Sequence, residues 1–201
     1  MVTLDFNAFD AITFDCYGTL IDWETGILAG LRSVVEPRGV VASDDELLER
    51  FAGAEASMEA GPYQRYRAVL AASLDRVARS YGVETSAAEQ VVFGESVGAW
   101  PAFPDSRAAL TRLKTRFRLG VLTNCDDDLF AASNRRLGVT FDWVVTAEQA
   151  RGYKPRAENF ELLIERVGLP RERILHVAQS LFHDHVPAKA LGLSTVWIDR
   201  R

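Results

Sequence analysis

An aspartate directly follows a short apolar run near the start of the chain. The run AITFD ends in Asp15, and the glycine-bearing segment Cys16-Tyr17-Gly18-Thr19-Leu20 continues from it. In α/β proteins, ligands bind at the carboxyl ends of the parallel strands, which is where this carboxylate would lie. A carboxylate can attack a substrate carbon or accept a proton there. Asp15 is therefore the first candidate for a reactive group.

Five short apolar runs are the elements that would position such groups. They cover residues 11–15, 119–124, 143–147, 174–180 and 194–199. Their lack of strict alternation is typical of parallel strands covered on both faces. Helical patterns lie between them at 106–117, 127–138, 158–168 and 185–192. This alternation predicts an α/β fold, a doubly wound, Rossmann-like parallel sheet.

The segment between residues 21 and 100 has a different pattern. It contains helical periodicity and no convincing strand, and Ser43 or Asp44 is well placed to begin a helix there. Strand–helix alternation resumes near residue 101. We therefore predict a helical cap domain at 21–100, inserted into a Rossmann-like core made of 1–20 and 101–201.

Composition excludes several classes of protein. The 201 residues carry a formal net charge of −5, which argues against nucleic acid or an anionic membrane as the main partner. The two cysteines are too few for a disulfide scaffold. No signal peptide is visible and no apolar stretch reaches the ~18–20 residues of a membrane span. We expect a cytoplasmic protein.

Four segments, taken in order, resemble the motifs of the haloacid dehalogenase superfamily. They are Asp15-Cys16-Tyr17-Gly18-Thr19-Leu20, Thr123-Asn124, Gly152-Tyr153-Lys154-Pro155 and the run HVAQSLFHDHVPAKALGL at 176–193. The resemblance implies that Asp15 is a covalent nucleophile. It also implies a cap domain where the helical segment lies.

Two departures from the family pattern distinguish between its branches. Family phosphatases carry a second aspartate at the position of Tyr17 and an acidic residue where Gln179 stands. Without these groups, magnesium-assisted phosphoryl transfer is poorly supported. The tyrosine is similar to that of the 2-haloacid dehalogenases, so the resemblance implies a hydrolase of that type that uses no metal or cofactor.

The resemblance also implies a role for each matching residue. Asp15 would attack the carbon that bears the leaving group, and Lys154 would keep Asp15 ionised and stabilise charge during ester hydrolysis. Asp184, with His183, Gln179 or Ser180, would position or deprotonate the water. Hydrogen bonds that orient the carboxylate and the substrate would come from Thr19, Thr123 and Asn124. The expected substrate-binding residues are Tyr17, Arg50, Gln179, Ser180 and His183.

Several alternatives remain open from the sequence. The partner is expected to be a small carboxylic acid, and a homodimer is left open. Arg50, Arg65 and Arg67 all qualify as the residue that binds the substrate carboxylate. The same displacement would open the ring of azetidine-2-carboxylate. A magnesium-dependent phosphatase and a non-catalytic binding module are the rival functions.

Overall fold

A five-stranded parallel sheet forms the centre of the protein. The computed structural model describes residues 4–200, and all neighbouring strands in it run parallel in the order β3-β2-β1-β4-β5. The strands are β1 (Ala11–Phe14), β2 (Arg118–Thr123), β3 (Trp143–Thr146), β4 (Ile174–Ala178) and β5 (Ser194–Trp197). Each of the five predicted strands is present, and the predicted α/β fold with a parallel sheet is confirmed.

Helices connect the strands and also fill the long segment after β1. Four of them, which we call the helical insertion, are α1 (Trp23–Val35), α2 (Asp44–Glu59), α3 (Tyr66–Ser80) and α4 (Ala87–Gly94). The others are α5 (Ser106–Lys114), α6 (Asp127–Leu137), α7 (Ala147–Ala150), α8 (Ala157–Val167) and α9 (Val186–Ala190). A π-helical turn, Leu181–His185, leads into α9. Among residues 4–200, no helix has the length and apolar character needed to span a bilayer.

The two faces of the sheet pack into separate apolar clusters. Ile12 and Phe14 of β1 belong to one cluster, whereas Ala11 belongs to the other, which also contains Phe160 and Leu163 of α8. Successive side chains of a strand point to opposite faces, so this division follows from the period of two. Both faces of the sheet are therefore covered, as the uninterrupted apolar runs predict.

The helical insertion contains strong helix-start signals and close helix contacts. Ser43 forms a capping box with Glu46 at the start of α2, and Ser86 forms one with Glu89 at the start of α4. The prediction of a helix start at Ser43 is confirmed. Each box satisfies backbone N–H groups that the first turn of a helix leaves without partners. The packed helices place one face of α2 above the carboxyl ends of the strands.

Candidate active site

Asp15 lies immediately beyond β1, in a loop that its own sequence shapes. Its backbone N–H still donates to the Val177 carbonyl oxygen at 3.1 Å, so the residue continues the pairing of β1 with β4. Gly18 follows with φ 92°, a left-handed conformation that side chains rarely adopt. This turn returns the Thr19 hydroxyl to Asp15 Oδ2 at 2.7 Å, and the Gln179 N–H donates to the same hydroxyl oxygen at 3.0 Å.

Lys154 joins the two carboxylates of the site. Its Nζ donates to Asp15 Oδ1 at 2.7 Å, to Asp184 Oδ1 at 2.8 Å and to the Leu122 carbonyl oxygen at 3.2 Å. Asn124 holds the lysine loop in place, because its Oδ1 accepts from the Lys154 N–H at 2.7 Å and its Nδ2 donates to the Lys154 carbonyl at 3.2 Å. Three chain segments distant in sequence thus meet at one ammonium group.

Burial and ion pairing act in opposite directions on these charges. Burial lowers the pKa of Lys154, but the attraction of Asp15 and Asp184 outweighs it and raises that pKa above its usual range. Burial raises the pKa of Asp184, yet Lys154 and His176 bring it down to about 2. Burial also raises the pKa of Asp15, and Asp184 acts in the same direction against the opposing effect of Lys154. The lysine is therefore a cation, shared by two buried carboxyl groups.

His176 is a buried part of the site that the sequence reasoning missed. Its Nε2 lies 3.0 Å from Asp184 Oδ1, and its Nδ1 lies 2.9 Å from the Thr13 hydroxyl. Because a carboxylate only accepts, these contacts fit the tautomer in which Nε2 carries the proton. A histidine within an apolar strand is the signal that was available, since a buried imidazole needs partners for its ring nitrogens.

A cavity of about 380 Å³ opens above Asp15 between the strand ends and the helical insertion. The residues after the strands that line it are Asp15, Tyr17, Asn124, Lys154, Gln179, Ser180, Phe182, His183 and Asp184. The helical insertion contributes Trp23, Ala52, Glu55, Ala56, Glu59 and Tyr66. Eight of the eleven residues proposed from the sequence therefore share one cavity, and Thr19 lies directly behind Asp15.

Two of the proposed residues lie elsewhere. Arg50 is exposed on α2, where its Nη1 is 3.3 Å from the Ser80 hydroxyl and its guanidinium lies over the Tyr81 ring. It occupies the helix face opposite the residues that line the cavity, because positions two residues apart differ by about 200° around a helix. Thr123 is buried at the end of β2, and its hydroxyl has no hydrogen-bond partner among the described residues. The expectation that Arg50 reaches the substrate is thus corrected.

The other two cap arginines are also occupied outside the cavity. Arg65 pairs with Glu148, and Arg67 pairs with Glu95, Asp128 and the buried Asp126. Asp126 also accepts the N–H groups of residues 66 and 67, so this aspartate anchors the start of α3. These contacts account for the arginines as links from the helical insertion to α6 and α7.

The Tyr17 hydroxyl is not placed to donate a proton in the cavity, as the second aspartate of family phosphatases would. Its hydroxyl donates to Cys125 Sγ at 3.4 Å and lies 3.1 Å from the Ser133 hydroxyl, and burial raises its pKa well above the usual range. The ring lines the cavity while the oxygen contacts the core behind it. No acidic group takes the place of the second aspartate of family phosphatases at this position.

The donor set does not fit a divalent cation. Oδ1 of Asp15 and Oδ1 of Asp184 both accept from the Lys154 ammonium, which places a cation between the two carboxyl groups, and Gln179 stands where family phosphatases carry an acidic residue. Within residues 4–200, no group of three or more His, Cys, Asp or Glu is arranged to hold a metal ion. The expectation that the reaction uses no metal stays a prediction.

Glu55 and Glu59 are the second feature that the sequence reasoning missed. The Tyr66 hydroxyl donates to Glu55 Oε1 at 2.7 Å, and Asn124 Nδ2 donates to Glu59 Oε2 at 3.4 Å. Burial raises the pKa of Glu55 to about 7, and burial together with Glu55 raises that of Glu59 to about 9. Two glutamates four residues apart in a predicted helix, a spacing that places them on one face, are the signal that was available.

Comparison with known proteins agrees with this architecture. Residues 9–190 match the model of the haloacid dehalogenase-like hydrolases. Haloacetate dehalogenase H-2 of Moraxella sp. (strain B) is 27% identical over 95% of this chain and 86% of its own, and (S)-2-haloacid dehalogenase H-109 of Pseudomonas putida is 23% identical over 96% and 86%. The L-2-haloacid dehalogenase of Xanthobacter autotrophicus, solved with chloropropionic acid covalently bound, superposes with a TM-score of 0.83 at 22% identity, covering 96% of this chain and 78% of that one. The match of the family model to nearly the whole described chain shows that this protein belongs to the haloacid dehalogenase-like hydrolase family.

Proposed function

We propose that this protein is a hydrolase of the 2-haloacid dehalogenase type, acting on small substituted carboxylic acids. The observation that carries the proposal is the buried Asp15 carboxyl group, held by Lys154 and Thr19 at the floor of a small cavity. The naming of relatives as haloacetate and 2-haloacid dehalogenases supports the same chemistry. A halide needs no proton to leave, which suits a cavity where Tyr17 stands in place of an acid.

The first step forms an ester. A carboxylate oxygen of Asp15 attacks the substrate carbon from the side opposite the leaving group, the carbon–halogen bond breaks, and the halide departs with the bonding electrons. Thr19 and Lys154 each bind one oxygen of the carboxylate and thereby orient it. Because the cavity excludes most solvent from Asp15, the nucleophile is less hydrated than a surface carboxylate.

The second step hydrolyses the ester. Water attacks the carbonyl carbon of the Asp15 ester, the bond between that carbon and the ester oxygen breaks, and the hydroxy acid leaves with the original Asp15 oxygen. One proton of the water passes to this departing oxygen, and the other is lost to solvent as Asp15 returns to the carboxylate. Lys154 faces this carbonyl and stabilises the oxyanion that forms on it. Asp184 has a buried Oδ2 without a hydrogen-bond partner among the described residues. With a pKa of about 2 it is a weak base, so we assign it the positioning of water and of Lys154.

Two finer assignments belong to the same proposal. We propose that residues 21–100 act as a cap over a core of 1–20 and 101–201, since side chains of α2 and α3 line the cavity across from the strand ends. A cytoplasmic location also stays a prediction, as does assembly into a homodimer.

Magnesium-dependent phosphatase chemistry is the weaker alternative, because Tyr17 and Gln179 replace its two acidic groups.

Isotope labelling tests the covalent route. With enzyme in excess over 2-chloropropionate in heavy-oxygen water, a single turnover should label the peptide that contains Asp15 and leave most of the lactate unlabelled. Asp15→Asn should abolish halide release, because an amide is a far weaker nucleophile. Labelled lactate with an unlabelled Asp15 peptide would contradict the ester intermediate. Release of phosphate from a generic phosphatase substrate, with no halide release from 2-chloropropionate, would contradict the reaction class.

A further inference from the structure

One wall of the cavity is acidic and faces the reactive carboxylate. Ala52, Glu55, Ala56 and Glu59 of α2 all line it, a spacing that places them on one face of the helix. The two alanines leave room between this wall and the strand ends, and the two glutamates supply its carboxyl groups. The proposed hydrolysis assigns no role to either glutamate.

Each of these carboxyl groups has one oxygen without a partner. Glu55 accepts the Tyr66 hydroxyl through Oε1, and Glu59 accepts Asn124 Nδ2 through Oε2. Among residues 4–200, the second oxygen of each accepts no hydrogen bond, and no lysine or arginine forms an ion pair with either group. A carboxyl group that faces a cavity without a cationic partner is costly to ionise, so these two oxygens are open to a cation that enters the cavity.

Among the described residues, the rest of the cavity lining provides no further cation to pair with Glu55 and Glu59. Its other titratable groups near the wall are Asp15, Asp184, Lys154 and His183, and Lys154 already donates to both aspartates. Burial lowers the pKa of His183, which favours the neutral ring. No arginine is among the lining residues within 4–200. A substrate that brought only a carboxylate would therefore enter a site of net negative charge.

We propose that the substrate carries an ammonium group that binds between Glu55 and Glu59 of α2. This inference rests on the proposed function and makes the substrate an amino carboxylic acid that also bears a leaving group. The ammonium would donate hydrogen bonds to the unpartnered oxygens of the two glutamates, a charge-assisted pairing. Trp23 and Tyr66 line the same cavity, and aromatic rings add attraction for a cation.

The protonation of the two glutamates agrees with this assignment. Burial and the neighbouring Glu55 raise the pKa of Glu59 to about 9, which favours the protonated group near neutral pH. A cation beside it lowers that pKa and displaces the proton. Binding of the substrate should therefore release about one proton, an effect that a purely anionic substrate would not produce.

Paired substrates test the inference through turnover. Chloride release is measured for 2-chloropropionate and for 3-amino-2-chloropropionate, which differ by one ammonium group. We expect kcat/KM to favour the amino compound by about tenfold or more, as a buried charge pair requires. The double variant Glu55→Gln and Glu59→Gln should lose this preference, whereas Glu49→Gln, an exposed change on the same helix, should keep it. Equal use of both compounds by the unaltered enzyme would overturn the inference while leaving dehalogenation intact.

A binding measurement separates this inference from the reaction itself. 3-Aminopropionate and propionate lack a leaving group, so calorimetric titration with each does not depend on catalysis. Tighter binding of 3-aminopropionate, with proton release measured in buffers of different ionisation enthalpy, is the expected result. If 3-aminopropionate binds more tightly but no compound releases chloride, the proposed dehalogenation is contradicted, whereas the binding of an ammonium group by Glu55 and Glu59 is supported. Binding of 3-aminopropionate no tighter than propionate, including no binding at all, overturns the inference.

Discussion

Lys154 balances the charge of two carboxyl groups in the site, and the proposed mechanism gives it a part in both steps. It is 2% exposed and donates to Asp15 and Asp184. We predict that Lys154→Met slows halide release, because a preorganised donor is lost from both steps. The expected loss of transition-state stabilisation is about 2–4 kcal/mol. Steady-state kinetics check this value, and Lys114→Met, on the surface beside Asp142, is the control. A rate within twofold of the unaltered enzyme would contradict the role.

The same substitution should make folding stability more dependent on pH. Without the ammonium, two buried carboxylates face each other unpaired, which costs about 3–5 kcal/mol. Their pKa values in the folded variant would then rise above the unfolded values, so the stability that Lys154→Met loses increases as pH rises above about 4. The difference in melting temperature from the unaltered protein should be larger at about pH 7 than at about pH 4. An equal difference at both would argue against the shared cation.

We predict that His176 acts on the reaction through Asp184, as a positioning residue. Its Nε2 lies 3.0 Å from Asp184 Oδ1, on the side away from the cavity. We predict that His176→Phe lowers kcat by about tenfold and changes KM little, because Asp184 loses a donor that fixes its orientation. His176→Gln carries an amide donor at the position of Nε2 and should restore most of the rate. A merely structural role would show no such difference between two variants of equal stability.

At the scale of elements, close helix contacts in the insertion are sensitive to single methyl groups. A Cβ at Gly26 of α1 would lie 2.3 Å from the Trp100 ring, whereas a Cβ at Gly53 of α2 would meet nothing within 4 Å. Gly26→Ala should therefore destabilise the fold by about 1–3 kcal/mol through overpacking. Gly53→Ala should stabilise it by about 0.5–1 kcal/mol through helix propensity. Denaturant unfolding measures both, and destabilisation by the second change would contradict the packing argument.

The elements also show which features a sequence can reveal. The strands were predictable because uninterrupted apolar runs such as 119–122 have few alternatives in an α/β chain. Asp15 was predictable because ligands bind at the carboxyl ends of parallel strands, whereas Lys154 and Asp184 were predicted from the resemblance of their segments to family motifs. The placement of Arg50 was not, since it depends on how α2 is rotated against the sheet. Tertiary packing decides that rotation, and it turns Glu55 and Glu59 toward Asp15 instead.

At the scale of the whole molecule, the acidic wall should reduce the stability of the empty protein. The pKa values of Glu55 and Glu59 are raised to about 7 and about 9, above the unfolded value of 4.5. The folded state then binds more protons than the unfolded state, so stability falls as pH rises from about 4.5 through these values. Glu59→Gln should remove part of this loss and raise the melting temperature more at about pH 8 than at about pH 5. A rise of equal size at both would contradict the raised pKa.

In the two proposals, the strand ends supply the groups for the reaction and α2 supplies the groups that bind the substrate. This arrangement has a consequence for how such proteins diversify. The groups to which the proposed mechanism assigns the chemistry, Asp15, Thr19, Lys154 and Asp184, lie at the strand ends, whereas Glu55 and Glu59 come from one inserted helix. Mutation can therefore explore new specificities on that helix without altering the reaction. Libraries that randomise only the four cavity-facing positions of α2 should yield variants with new substrate preferences and an unchanged rate-limiting chemistry. The fold thus separates the evolution of what is recognised from the evolution of what is done to it.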